Sequence, residues 1–252
     1  FPESVFYLFC PRIKYFTNSL MRRKMLFYSA FSLILACLSD IAGSGAIHRA
    51  NVNDSIDIQL LYNGRAWRNL YYKIKGDQFL FSTEFMTGSV TVEGKTFNNL
   101  LLKYDIFNDE LLAITDHGII LQLNKEMIDL FTMNYQNQIF NFKKLDADSL
   151  NSLSGYVNVL YDGGTSLYVK YRKEILLLAI ENKYDMFNQV NRIFVEKNGE
   201  IFKVDSKSEL LKLFEDQKHQ VRSFIRSNKI RISRKNPNSF KPVIEYYDKL
   251  QH

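Results

Sequence analysis

The sequence predicts an α+β fold in which a β-rich body, an antiparallel meander with hairpins, is followed by C-terminal helices. Short apolar runs separated by turn residues fill residues 56–205. Two of the turns, at 162–164 and 198–199, carry the glycine signals of β-hairpins. From residue 206 to 250, apolar residues recur at helical spacing instead. These three observations predict the fold class.

The first half of the body is clearest in GSVTVEGKTFNNLLLKYDIFNDELLAITDHGIILQLN, residues 88–124. Apolar and polar residues alternate in short runs, and turn residues at 93–94, 108–109 and 116–118 separate the runs. Strands of this kind joined by tight turns predict an antiparallel meander.

The second half carries two hairpin signals. GYVNVLYDGGTSLYVKYRKE is expected to turn at Asp162-Gly163-Gly164, and NRIFVEKNGEIFKV at Asn198-Gly199. Between them, ILLLAIENKYDMFNQV leaves residues 173–190 open, because this stretch fits either a strand followed by a loop or a short helix.

The C-terminal part begins with a capping box. In Ser206-Lys207-Ser208-Glu209, the first serine and the glutamate are spaced to cap the exposed backbone amides of a helix start. The pattern over 206–228 fits one helix or two broken near Asp216, and we favour two. A last helix is expected from about Ser239 to Leu250, with Pro242 tolerated in its first turn.

The start of the chain predicts export. MRRKMLFYSAFSLILACLSDIAGSGA, residues 21–46, has the positive, apolar and small-residue parts of a signal peptide. Its apolar run is shorter than the roughly 20 residues that cross a bilayer as a helix. Met21 is then the expected start of the native protein, residues 1–20 are translated sequence upstream of that start, and residues 47–252 form a single mature domain. A buried core helix and a retained anchor are the alternatives.

A second cleavage site changes the predicted attachment. The sequence Ile34-Leu35-Ala36-Cys37 resembles a bacterial lipobox, in which Cys37 would carry a lipid. Cleavage after Ala46 instead removes both cysteines, since the other is Cys10. The mature chain would then hold no disulfide, cysteine nucleophile or thiolate metal site. Either way the predicted location is the periplasm or the outer membrane.

Charge and histidine content exclude several functions. About half of the formal net charge of +6 lies in residues 1–46, so the mature chain is only mildly basic and nucleic acid is not an expected partner. His117 belongs to an Asp-His-Gly turn, and no histidine pair has metal-site spacing. We predict no metal, no cofactor and no catalytic residue.

The acidic cluster in YDIFNDEL is the only candidate for acid–base chemistry. It contains Asp105, Asp109 and Glu110. Such chemistry needs two carboxylates across a cleft with separated pKa values, which neighbours in sequence do not establish. We therefore interpret the three residues as turn and strand-edge residues.

The most suggestive stretch is KHQVRSFIRSNKIRISRK, residues 218–235, which contains no acidic residue. A basic amphipathic element of this kind is typical of contact with an anionic surface, here acidic lipid headgroups or an envelope protein. The alternative is a solvated helix face whose apolar side covers the sheet. The predicted contact residues are Lys218, Arg222, Arg226, Lys229, Arg231, Arg234 and Lys235.

An ordered series of motifs covers roughly residues 60–250: VTVEGKTFNNLLLKYDIFNDEL, ILQLNKEMIDLF, GYVNVLYDGGTSLYVKY, FKVDSKSELLKLF, FIRSNKIRI and a closing helix with Tyr-Tyr. The series resembles a group of uncharacterised exported proteins of Bacteroidetes-type Gram-negative bacteria. Members often have a proline where this chain has Glu215, and this departure leaves the helix break near Asp216 open. The resemblance implies an envelope location and supplies no catalytic residue.

Three functional hypotheses follow. The first is an exported, non-enzymatic module that contacts protein or lipid, which predicts a filled core and an exposed patch. The second is a periplasmic carrier, which predicts an apolar pocket lined by Phe and Tyr from several strands. The third is a hydrolase with two carboxylates facing one another across a cleft, Asp105 or Asp109 among them.

Overall fold

A computed structural model describes residues 58–146 and 153–251 of the 252-residue chain. These residues belong to one compact unit, Ala50–His252. The predicted signal peptide, both candidate cleavage sites and both cysteines lie outside the described residues.

The described part contains one large antiparallel sheet and a group of C-terminal helices, which confirms the predicted fold class. The strands are β1 Gly64–Ala66, β2 Met86–Val92, β3 Lys95–Asp105, β4 Glu110–Ile114, β5 Ile120–Leu123, β6 Ile128–Tyr135, β7 Gln138–Leu145, β8 Gly155–Tyr161, β9 Thr165–Ile180, β10 Tyr184–Lys197 and β11 Glu200–Lys203. The C-terminal helices are α1 Lys207–Leu213, α2 Lys218–Ser227 and α3 Lys241–Gln251, residues 58–61 are also helical, and short 3₁₀ turns lie at Lys125–Met127, Glu215–Gln217 and Pro237–Ser239.

The sheet has the order β1-β5-β4-β3-β2-β6-β7-β8-β9-β10-β11. Strands β2 to β5 form the predicted meander, but β6 then returns to pair with the free side of β2. The chain continues from β6 to β11 as a second run of neighbouring strands. The sheet therefore grows in two directions from the β2–β6 pair, an arrangement that the local pattern did not predict.

Both predicted hairpin turns are present. Residues 162–164 join β8 to β9, and Asn198 and Gly199 join β10 to β11 with φ of +55° and +79°. Residues 173–190 form neither a helix nor a long loop, because β9 runs on to Ile180 and β10 starts at Tyr184. Glu181 and Asn182 make the connecting turn, with φ of +54° and +51°.

An aromatic cluster fills the concave side of the sheet. Tyr104, Phe131, Phe142 and Tyr156 come from β3, β6, β7 and β8, and each is at most 1% exposed. The ring centroids of Tyr104 and Tyr156 lie 5.8 Å apart. In a flat sheet, β3 and β8 would be about 19 Å apart, since neighbouring strands are spaced by about 4.8 Å. The sheet is therefore strongly curved around this core.

The helices follow the sequence signals closely. Ser206 caps α1 by accepting a hydrogen bond from the Glu209 amide at 3.3 Å, while the Glu209 carboxylate accepts from the amide of Asp205 rather than that of Ser206. Residues 214–217 separate α1 from α2, so the favoured two-helix prediction is confirmed. Helix α3 begins at Lys241 and includes Pro242 in its first turn.

Stacked rings hold the helices to one another, and two aspartates attach them to the sheet. Phe214 stacks on Tyr247 at 3.8 Å. Asp248 lies on α3 and accepts a hydrogen bond from the amide of Thr165 at 3.0 Å. Asp216 lies in the 3₁₀ turn between α1 and α2 and accepts a hydrogen bond from the Lys197 side chain at 3.0 Å. Thr165 begins β9 and Lys197 ends β10, so the helices cover this end of the β9–β10 hairpin.

Candidate functional site

The structure places the predicted contact residues on α2 and on the chain that follows it, residues 228–235. We call Lys218–Lys235 the basic segment. Its apolar side is filled, because Val221 and Ile225 are buried and Phe224 stacks on Tyr246 at 4.1 Å. The basic side of the segment therefore faces solvent while its apolar side packs on the protein.

Only two of the seven predicted contact residues have an acidic partner among residues 58–146 and 153–251. Lys218 pairs with Glu215 at 2.8 Å, and Arg234 pairs with Asp205 at 3.7 Å. The remaining five are exposed and form no ion pair with a described residue. They are Arg222, Arg226, Lys229, Arg231 and Lys235.

Two of these charges stand one helical turn apart. Arg222 and Arg226 are at i and i+4 of α2, where like charges lower the stability of a helix by a few tenths of a kcal/mol. Arg226 lies in the last turn, where the helix dipole favours a cation. Among the described residues, no acidic side chain pairs with Arg222.

The acidic cluster serves the turn between β3 and β4, as predicted for turn residues. Asp105 is fully buried and accepts hydrogen bonds from the backbone amides of Phe107 and Asn108 at 3.0 and 2.9 Å. Its second oxygen accepts from the side chains of Asn108 and Gln78. The carboxylate of Asp105 is thus occupied in holding the turn.

Asp109 forms a partly buried ion-pair cluster that sequence reasoning missed. Its carboxylate lies 2.9 Å from the ammonium of Lys170 and 2.6 Å from that of Lys125, and it accepts a hydrogen bond from the Tyr104 hydroxyl. Burial acts to raise the pKa of Asp109, but the charge of Lys170 and these hydrogen bonds outweigh it, so the pKa is lowered. The Lys170 side chain is only 8% exposed.

Among residues 58–146 and 153–251, neither Asp105 nor Asp109 faces another carboxylate across a cleft in the way that the hydrolase hypothesis requires. The carboxylates that do line one cavity are Asp216 and Asp248, in a space of about 420 Å³. Burial would raise the pKa of Asp216, but hydrogen bonds from Lys197, Tyr247 and Gln251 lower it. A general acid needs a raised pKa, so Asp216 is not set for that role.

A more apolar pocket of about 530 Å³ opens where β7 and β8 separate. The two strands pair only from Phe142 to Leu145 and from Gly155 to Asn158, so their other ends splay apart. Its lining residues come from β6, β7, β8 and the start of α3 and include Leu130, Phe131, Phe142, Val159, Leu160, Tyr161 and Lys241.

An exposed apolar run lies at the tip of the β9–β10 hairpin. Leu176, Leu177 and Leu178 are 42%, 76% and 55% exposed. Strand β10 has 14 residues, so its two ends are about 45 Å apart at the usual rise of a strand. The tip and the helical end thus lie at opposite ends of the β9–β10 hairpin.

In the described ranges, no group of three or more His, Cys, Asp or Glu residues is placed to hold a metal ion. His117 lies in the turn before β5, as its sequence context predicts. No helix within the described part of the chain is long and apolar enough to cross a membrane.

Comparison with known proteins finds no matching family, curated protein or solved structure. Inferences about function therefore start from the geometry of these sites.

Proposed function

We propose that the protein is a non-enzymatic interaction module that docks on an anionic surface through the basic segment. The observation that supports this proposal is the set of five exposed cations without an acidic partner among the described residues. The periplasmic or outer-membrane location predicted from residues 21–46 would place the segment beside phospholipid and glycolipid headgroups.

The contact would be electrostatic rather than inserted. Val221 and Ile225 pack inside the protein, so α2 has no free apolar face to bury in a bilayer. A lysine or arginine near an anionic membrane contributes about 1 kcal/mol, and this attraction falls off within a Debye length. Binding should therefore be reversible and sensitive to salt.

Sedimentation with vesicles of phosphatidylcholine and phosphatidylglycerol tests the proposal. Wild-type protein should bind at low salt, and its affinity should weaken steeply between low and physiological ionic strength. The triple variant Arg222→Gln, Arg226→Gln, Lys229→Gln should lose most of this binding. Since all three residues are exposed, circular dichroism of the variant should remain that of the wild type.

A matched control removes three other exposed cations. The variant Arg68→Gln, Lys73→Gln, Lys183→Gln loses the same charge outside the basic segment. Equal binding by the two triple variants would refute a localised contact. Binding of wild-type protein to neutral vesicles, or binding indifferent to salt, would refute an electrostatic one.

The pocket between β7 and β8 supports a second candidate, the carrier. Its aromatic lining residues Phe131, Phe142 and Tyr161 come from three strands, and the carrier hypothesis predicts Phe and Tyr from several strands. Protein isolated from cells should then show extra mass in a native mass spectrum that disappears on denaturation. Val159→Trp, which fills the pocket, should remove the extra mass, whereas Leu177→Trp at the exposed tip should keep it. A bare native mass would exclude the carrier.

A further inference from the structure

A second cationic site lies apart from the five unpaired charges of the basic segment, in a cavity of about 210 Å³. The cavity is lined by the loop after β3, the residues before β8 and one face of β9, β10 and β11. Its charged lining residues are Asp109, Lys170, Arg172, Arg192 and Lys203. Four of these five are cations.

Strand register puts the cations on a single face of the sheet. Lys170 pairs directly with Arg192, and Phe194 pairs directly with Lys203. Arg172 is two residues from Lys170 and so points to the same side of β9. Like charges placed directly opposite one another destabilise an antiparallel pair. The pairing of Lys170 with Arg192 therefore calls for a compensating negative charge.

The protein supplies that charge only in part. The Asp109 carboxylate is shared between Lys170 and Lys125. Arg192 reaches the exposed Glu174 at 3.2 Å. Lys203 reaches Asp205 at 2.7 Å, a carboxylate that it shares with Arg234.

Arg172 is exposed and has no acidic partner among the described residues. Its guanidinium therefore stands at the cavity without a hydrogen bond to another described residue.

Lys170 also has a donor to spare. Its ammonium donates to Asp109 and to the carbonyl of Tyr156, both at 2.9 Å. An ammonium group has three N–H donors, so one has no acceptor among the described residues, and Lys170 lines the cavity. Burial lowers the pKa of Lys170, Asp109 opposes this effect, and the charges of Lys125 and Arg172 add to the lowering. An anion in the cavity would relieve this repulsion.

We propose that the cavity binds a small oxyanion, a phosphate monoester or a carboxylate, carried on an apolar group. Lys170 and the buried side chains of Leu153 and Phe194 form the inner wall, while Arg172 and Lys203 stand exposed at the mouth. Guanidinium groups match the two oxygens of such anions with parallel hydrogen bonds. The ring of Phe194 offers an apolar surface to the rest of the ligand. This inference does not depend on docking by the basic segment.

Calorimetric titration at constant ionic strength tests it with phenyl phosphate, benzoate, inorganic phosphate and phenol. Phenyl phosphate or benzoate should bind, inorganic phosphate should bind more weakly, and phenol should not bind. Arg172→Gln should weaken phenyl phosphate binding by about tenfold, the loss expected for one charge-assisted hydrogen bond. Arg68→Gln, another exposed arginine outside the cavity, should bind as the wild type does.

Two results would overturn the proposal. One is heat from phenyl phosphate and benzoate no greater than that from added sodium chloride. The other is equal affinity in Arg172→Gln and Arg68→Gln. The triple variant of the basic segment should keep phenyl phosphate binding, so failure of surface docking is separable from failure of this site.

A vesicle arm distinguishes the source of the oxyanion. Asp205 bridges Lys203 of the cavity and Arg234 of the basic segment, so the cavity lies beside the proposed docking surface. If Arg172→Gln also weakens binding to phosphatidic acid vesicles, the ligand is a lipid headgroup. If it weakens binding of phenyl phosphate alone, the ligand is soluble.

Discussion

Replacing Asp109 with asparagine removes the charge that neutralises a buried lysine. Lys170 is 8% exposed, and after the replacement its ammonium would keep only neutral hydrogen-bond acceptors, the carbonyl of Tyr156 and the side-chain oxygen of the asparagine. Breaking one side of a buried ion pair lowers the free energy of unfolding by about 3–5 kcal/mol. Because the Tyr156 contact remains, we expect about 3 kcal/mol, a large share of the 5–15 kcal/mol typical of a domain.

The Asp109 carboxylate pairs with two lysines, so the contributions of the two ion pairs to stability can be compared. Lys125 lies closer to Asp109, at 2.6 Å, but its side chain is 33% exposed and partly screened by water. Lys125→Gln should therefore lower the free energy of unfolding by less than about 1 kcal/mol, despite the shorter contact. Burial, rather than distance, decides which of the two ion pairs matters.

Urea unfolding measures these effects through circular dichroism and the fluorescence of Trp67, the single tryptophan. The double variant Asp109→Asn, Lys170→Met should be more stable than Asp109→Asn alone, since it removes the uncompensated charge. A loss below about 1 kcal/mol in Asp109→Asn, or a double variant no more stable than the single one, would refute the reasoning.

Three further predictions concern pH, backbone conformation and the exposed hairpin tip. Folding lowers the pKa of Asp109, so the contribution of its carboxylate to the free energy of unfolding is present above about pH 4 and is lost as pH falls through the folded pKa. The urea midpoint of Asp109→Asn should therefore drop less with acid than that of the wild type. Parallel plots of urea midpoint against pH for the two proteins would contradict this. Gly155→Ala should lower the melting temperature more than Gly94→Ala does. Both glycines have φ near +78°, but only a Cβ at position 155 would overlap the Asp109 carboxylate. Equal losses of melting temperature would exclude the steric effect. Leu177→Ser should change the free energy of unfolding by less than about 0.5 kcal/mol in urea titration, and a larger loss would mean that Leu177 packs against the protein.

Local turn chemistry explains which hairpins the sequence revealed. Turns at 93–94 and 198–199 need positive φ at both positions, and each has glycine at the second. The turn at Glu181-Asn182 has the same backbone conformation without a glycine, so residues 173–190 gave no hairpin signal. The return of β6 to β2 was not predictable from periodicity, which describes a strand but not its partner.

The difference between local sequence pattern and long-range pairing also separates the two candidate sites. The basic segment is contiguous, so its charge pattern was visible in the sequence. The Asp109–Lys170 pair joins residues 61 positions apart, and the cationic cavity needs the register of three strands. The available signal was Lys170 itself, a lysine among the aromatic and aliphatic residues of SLYVKY. A cation at such a position is buried only if a distant anion meets it.

The pairing of β2 with β6 also bears on how the chain is made. Apart from the β1–β5 pair, which joins Gly64 to Leu123, each half of the sheet is a series of strands that pair with their neighbours in sequence, so closing these pairs loses little chain entropy. Joining the halves brings Gly88 to Met133, a much longer closure. During synthesis, there is an interval in which β1 to β5 have been made but β6 has not. In that interval, the edge of β2 that will pair with β6 has no partner. An uncovered strand edge is a template for pairing with another chain. Prompt emergence of β6 therefore protects the young protein from aggregation as well as completing its sheet.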